Sequence, residues 1–247
     1  MTDEKLAVLI DADNVPYAKV KEMLEEIAKN GNPTIKRIYA DWTKPTVSGW
    51  KGVLLENAIT PIQQYSYTTG KNSSDSALII DAMDILYSGR VNGFCIVSSD
   101  SDFTRLATRL REAGMTVIGF GEKKTPQPFI SACDKFIYFE ILKTEKPEEP
   151  VSDKKHVKQK AKAEPINKVD AATIKLITQS VNDLADESGW TFLGNLGNFI
   201  LKRKPDFDAR NYGFTKLLPL IKSINKFDID ERDSGVNNIR HIYIKQK

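Results

Sequence analysis

Ser98-Ser99-Asp100-Ser101-Asp102-Phe103 follows the apolar run Gly93-Phe94-Cys95-Ile96-Val97 and precedes Thr104-Arg105-Leu106-Ala107-Thr108-Arg109-Leu110. The first run reads as a buried strand and the last as a helix. Two carboxylates and three hydroxyls therefore stand at a strand's carboxyl end, just before a helix begins. In open α/β sheets that edge is where ligands bind. Carboxylates crowded there repel one another unless a cation neutralises them, and hard oxygen ligands suit Mg²⁺ or Mn²⁺.

Working outward, residues 5–142 alternate between strand and helix. Leu6-Ala7-Val8-Leu9-Ile10 is continuously apolar, as a central parallel strand buried on both faces requires, and it ends in Asp11-Ala12-Asp13-Asn14. A helix is expected over 15–29, strands over 35–42 and 59–67, and a helix over 47–57. The loop 68–74 leads to a strong helix over 75–87. After the central stretch come a strand over 115–120, the loop 121–126, a short helix near 128–132 and a last strand over 135–141. Such alternation specifies a mostly parallel sheet flanked by helices, an α/β fold.

Residues 143–169 break the pattern. Lys, Glu and Pro dominate, and so little apolar surface cannot offset the entropy of ordering, so a flexible charged linker is expected. Residues 170–247 rebuild a small domain. Helices are expected over 172–188, 194–203 and 215–224, and the period-two runs 227–230 and 241–244 could form a hairpin through Asp233-Ser234-Gly235. Three helices and a β-wing make a winged helix-turn-helix. The expected domains are thus 1–142, 143–169 and 170–247.

Composition narrows the functional classes. No apolar run is long enough to span a bilayer, and the first strand is too short and too closely followed by charge for a signal peptide. Cys95 and Cys133 lie far apart in apolar surroundings and read as reduced core residues of a cytoplasmic protein. Two histidines and no Cys-x-x-Cys pair argue against zinc. Residues 1–142 hold 16 Lys+Arg against 18 Asp+Glu, net −2; residues 143–169 hold 8 against 5, net +3; residues 170–247 hold 12 against 10, net +2. An acidic half joined to a basic remainder fits a nucleic-acid partner without demanding one.

Four loops of the first domain could bring acids to one edge. The first strand delivers Asp11, Asp13 and Asn14, the third helix Asp75, and the central stretch Asp100 and Asp102. Asp134 could come from the last loop and Asp81 lies nearly two turns beyond Asp75, but for both a surface or structural role is the favoured reading. Asp11 and Asp100 are expected to be the closest pair, because their strands should be neighbours. Three or four carboxylates around a divalent ion are what phosphodiester hydrolysis needs. Asp13, Asn14 and Ser99 are expected to hold those carboxylates in place. Bland roles compete: Asp11 to Asn14 could be a capped turn, Ser73-Ser74-Asp75 is a good N-cap series, and Asp102 could cap a helix. Lys71, Lys123 and Lys124 sit in loops on the same presumed edge and could meet phosphates. Trp42 and Trp50 could stack bases, although core packing explains them as well.

At these residues the chain resembles a known family. Leu9 to Asn14, Lys71 to Asp75, Ser99 to Phe103 and Gly121 to Pro126 are similar to motifs of the NYN domains of the LabA-like group, relatives of PIN nucleases. The resemblance implies a PIN-like fold and a metal-dependent ribonuclease site with Asp11, Asp75 and Asp100 as metal ligands and Asp102 as a fourth. Trp190 to Ile200, Asp208 to Phe214 and Lys216 to Leu218 resemble an OST-HTH/LOTUS domain. That implies RNA binding or protein docking, with Lys202, Arg203, Lys204 and Arg210 as phosphate contacts. Two other functions compete: a haloacid-dehalogenase-like phosphatase, whose Asp-x-Asp motif Asp11-Ala12-Asp13 imitates, and an RNA-binding adaptor with an inactive acid cluster.

Overall fold

The computed structural model describes residues 4–65, 73–142, 166–233 and 240–247; of Ser73 and Ser74 only the backbone is described. Most of the expected linker, the loop holding Lys71 and the turn at Ser234-Gly235 lie outside the described residues. The chain divides into two compact units, one within residues 1–157 and one within 158–247.

The first unit is a six-stranded parallel sheet. Its strands are β1 (Lys5–Asp11), β2 (Asn32–Ala40), β3 (Thr60–Gln63), β4 (Gly93–Val97), β5 (Thr116–Gly121) and β6 (Lys135–Tyr138), in the order β3-β2-β1-β4-β5-β6. β1 from Leu6 onward and the whole of β4 are buried, which their unbroken apolar runs require. β3 is mostly exposed and carries Pro61, which an edge strand tolerates because one side of its ladder is unpaired. Of the described residues in the expected strand over 59–67, Thr60–Gln63 are strand; residues 66 and 67 lie outside the described residues.

Asn92 fixes the register at the centre. Its side chain accepts from the Lys5 backbone N–H at 3.0 Å, and its own N–H donates to the Lys5 carbonyl at 2.8 Å. From there β1 and β4 run in step, Leu6 opposite Gly93 through Ile10 opposite Val97. One residue further, Asp11 falls beside Ser98.

The helices of this unit are α1 (Val20–Ala28), α2 (Trp50–Asn57), α3 (Ser73–Tyr87), α4 (Thr104–Glu112) and α5 (Gln127–Ala132). α1 buries Val20, Met23 and Ile27, α3 buries Leu78, Ala82 and Ile85, and α4 buries Leu106, Ala107 and Leu110, each at helical spacing. α1 starts later than expected because Pro16 opens a short 3₁₀ turn, Tyr17–Lys19, in its place. α3, α4 and α5 lie side by side: Arg109 reaches Tyr87, and the Phe103 and Phe129 rings lie 6.5 Å apart. Trp50 is buried edge-on to Tyr17, and the Trp42 indole donates to the Ile62 carbonyl at 3.0 Å, so both tryptophans serve packing.

The second unit holds α6 (Ala171–Leu184), α7 (Leu193–Arg203) and α8 (Leu217–Ile224), with β7 (Thr191–Phe192), β8 (Phe227–Asp233) and β9 (Arg240–Gln246). Its antiparallel sheet runs β7-β9-β8. Ile177, Val181, Leu196, Ile200, Leu220 and Ile244 form its core. α6 stops four residues short of the expected Ser188. The Asp186 side chain instead accepts from the backbone N–H groups of Ser188 and Trp190, both at 2.9 Å, and folds the chain into a turn. Among the described residues no helix is long and apolar enough to cross a membrane, and Cys95 and Cys133 are buried free thiols.

Candidate metal centre

The topology decides where the acids meet. β2 and β3 lie to one side of β1, and β4, β5 and β6 to the other. The strand order therefore reverses between β1 and β4, and a crevice opens at their carboxyl ends. Both strands end alike. Asp11 caps a 3₁₀ turn, Ala12–Asn14, by accepting from the Asp13 N–H at 3.2 Å. Asp100 caps the 3₁₀ turn Ser101–Phe103 by accepting from the Asp102 N–H at 3.0 Å. The capping reading and the site reading thus apply to the same side chains.

Asp75 arrives from the first turn of α3. Asp75, Asp100 and Asp102 each offer a carboxylate oxygen, and these oxygens lie within 4.8 Å of one another. That spacing is near the roughly 3–4 Å between oxygen ligands in an octahedral shell, so small rotations would close the trio on an ion. An all-carboxylate set suits Mg²⁺ or Mn²⁺ and not a soft metal.

Burial pushes the Asp75 carboxyl up to about 6, and the charges of Asp11, Asp100, Asp102 and Asp13 add to the effect. Five carboxylates thus share one electrostatic neighbourhood. Burial also raises Asp11, against the lowering effect of its hydrogen bonds.

Asp11 is 1 % exposed and does not join the trio within the same 4.8 Å. It accepts from Asn14 Nδ2 at 2.6 Å and from Ser98 Oγ at 2.8 Å. Ser98 Oγ also accepts from the Asp100 N–H at 3.1 Å. The pair expected to lie closest, Asp11 and Asp100, is thus linked through Ser98, which the sequence reading passed over in favour of Ser99. Ser99 points the other way, and its hydroxyl accepts from the Glu122 N–H at 2.9 Å. The signal that separates the two serines is the β1–β4 register. Asp13 is exposed, and Asn14 Nδ2 donates to Asp11.

Two other acids lie elsewhere. Asp134 precedes β6, so it stands at the amino edge, where it pairs with Arg111 at 2.9 Å and accepts from the Val117 N–H at 2.9 Å. A residue before a parallel strand cannot reach the opposite edge, so Asp134 stands outside the cluster as a structural acid, the role that competed with cluster membership in the sequence. Asp81 holds Arg37 and Tyr39 of β2, fastening α3 to the sheet.

The cations are distributed unevenly. Lys124 pairs with Glu122 at 2.5 Å, and the exposed Lys123 is anchored by its backbone N–H on Glu140 at 2.8 Å. In the second unit Arg203 pairs with Asp183 at 2.5 Å and lies 4.5 Å above the Phe199 ring. Lys204 donates to the Tyr212 hydroxyl at 3.2 Å, and Arg210 pairs with Asp208 at 2.6 Å. Lys202 is exposed.

Comparison with known proteins follows the division into units. The NYN domain family model matches residues 5–142, more than half of the chain, and the OST-HTH/LOTUS domain model matches residues 164–239. No curated protein matches the chain. Among solved structures, it is similar to a protein of unknown function from Vibrio parahaemolyticus. The two are 22 % identical over 55 % of this chain and 93 % of that one, with a TM-score of 0.46. It is also similar to an uncharacterised protein from Nitrosomonas europaea, 33 % identical over 39 % of this chain and 92 % of that one, with a TM-score of 0.30.

Proposed function

Since the chain belongs to the NYN domain family and carries an OST-HTH/LOTUS domain behind it, we propose that it is a metal-dependent endoribonuclease whose second domain recruits RNA. The observation that carries this reading is the trio Asp75, Asp100 and Asp102, gathered within 4.8 Å at the carboxyl edge of the sheet.

In this reading Asp75, Asp100 and Asp102 hold Mg²⁺ or Mn²⁺, and Asp11 adds a further negative charge beside them. An ion held there would supply the chemistry of lowering a water's pKa and offsetting charge on the scissile phosphate. Ser98 and Asn14 fix the Asp11 carboxylate, and the N–H groups of Asp13 and Asp102 hold the two strand-end acids in their rotamers. Boundaries near residues 142 and 170, with the charged segment between them as a tether, belong to the same proposal. So does a cytoplasmic setting, which two buried free thiols support. RNA contact by the second domain falls first to Lys202, because Arg203, Lys204 and Arg210 already hold partners within the domain. Protein docking by that domain is a companion role.

The test is direct. Labelled single-stranded and hairpin RNAs are incubated with the protein and Mg²⁺, Mn²⁺ or EDTA, beside Asp100→Asn. Internal cleavage that needs the metal and falls at least 100-fold in the variant supports the proposal. Binding without cleavage assigns the chain to the adaptors, and phosphate release from small monoesters assigns it to the phosphatases.

A further inference from the structure

Outside the acidic centre, the outer side of α3 and α4 carries side chains that the fold does not use. α4 starts directly after the turn that carries Asp102, and its inner side is filled by Leu106, Ala107 and Leu110. Arg105 and Arg109 stand on its outer side, one helical turn and about 6 Å of rise apart. Both are exposed, and among the described residues neither makes an ion pair. Arg109 Nη2 reaches across to α3 and donates to the Tyr87 hydroxyl at 3.3 Å. The Tyr87 ring is 74 % exposed, a large aromatic surface left in water. The acids on these helix surfaces, Asp84 and Glu112, are exposed and leave both arginines unpaired.

A polyanion approaching five carboxylates is repelled until cations beside the centre offset them. The nearest such cations on the chain that leaves the centre are Arg105 and then Arg109. An exposed ring next to them offers a face to an unstacked base, which a duplex does not present. We infer that single-stranded RNA lies across the outer side of α3 and α4, with Arg105 and Arg109 on successive phosphates and Tyr87 stacked on a base. This surface rests on the reading of the chain as RNA-directed and gives that reading a strand path and a strandedness.

The experiment measures binding apart from cleavage. Fluorescein-labelled 20-nucleotide oligouridylate and a blunt 20-base-pair RNA duplex are titrated with the full chain in EDTA at several KCl concentrations. Arg105→Glu with Arg109→Glu is expected to weaken oligouridylate binding at least tenfold. It should also lower the slope of log Kd against log salt by about 1.4, two single-strand phosphate contacts. Arg105→Gln with Arg109→Gln, which keeps both side chains long and polar, should lower the slope equally with its melting temperature unchanged. Tyr87→Ala should weaken binding about fivefold or more with the slope intact. Lys21→Glu with Lys51→Glu, on α1 and α2, is the charge-matched control. An affinity within twofold of the parent in the arginine variants overturns the inference. So does an equal loss in the control, tighter binding of the duplex, or no binding by the parent chain. Weakened binding in a protein that cleaves nothing keeps the surface and removes the nuclease reading; cleavage with unchanged affinity does the reverse.

Discussion

Ser98 Oγ donates to Asp11 Oδ2 at 2.8 Å across 87 residues of chain, and the same oxygen accepts from the Asp100 N–H. One hydroxyl therefore ties the two strand ends that frame the acidic crevice. Ser98→Ala removes both bonds and leaves a buried carboxylate with one donor fewer. It should cost about 1–3 kcal/mol in urea unfolding. Isothermal titration with Mn²⁺ should show affinity reduced about 10-fold or more, as loss of a supporting partner does at metal sites.

The metal-free protein should lose stability as pH rises through the range below neutrality. Asp75 has its carboxyl pushed up to about 6 from an ordinary 3.8, so between those values the folded chain holds a proton that the unfolded chain has released. Stability is then greatest below about 4 as far as this group is concerned, and falls toward pH 6–7 by no more than about 3 kcal/mol. Asp75→Asn should flatten that slope. Mn²⁺ should raise the melting temperature at pH 7.5 and lose its effect as pH drops below 6, where protons compete for the carboxylate. Melting curves over pH 4–8, with and without Mn²⁺, check both signs.

Asp81 holds Arg37 and Tyr39 at once. Asp81→Asn keeps the shape and removes the charge, leaving a half-buried guanidinium without its counter-ion. A loss of about 2–4 kcal/mol is expected. Tyr39→Phe removes one bond and leaves the ion pair, so it should cost about 1 kcal/mol. Chemical denaturation of the two variants would separate the contributions.

Gly121 ends β5 where a methyl group would meet Thr125 Oγ1 at 2.6 Å and the Ser98 carbonyl at 2.8 Å. Gly121→Ala should cost about 1–3 kcal/mol by overpacking. Because the displaced backbone is that of Ser98, Mn²⁺ affinity should fall as well, whereas Gly52→Ala, with open space around the site of substitution, should leave it unchanged.

The sheet was legible because unbroken apolar runs and helical spacing are local properties. The acids at strand ends were legible for a related reason: a residue just after a parallel strand must emerge at the carboxyl edge. The same rule places Asp134, which precedes its strand, at the opposite edge, where it is a structural acid paired with Arg111. The choice between Ser98 and Ser99 was not legible. It depends on how β1 aligns with β4, which the Asn92 contacts with Lys5 set from far along the chain. The basic residues at the end of α7 and just beyond it look alike in sequence. Only packing shows that Arg203, Lys204 and Arg210 hold Asp183, Tyr212 and Asp208 while Lys202 remains exposed.

The central pairing of β1 with β4 joins segments nearly ninety residues apart, so the crevice cannot exist until a long loop has closed. Scattered along a denatured chain, the same aspartates are ordinary carboxylates with weak, unselective hold on any ion. Cation binding should then arrive late on the folding route and stabilise contacts that the barrier state lacks. Added Mn²⁺ is expected to lengthen the lifetime of the native protein and leave the speed of its formation nearly untouched.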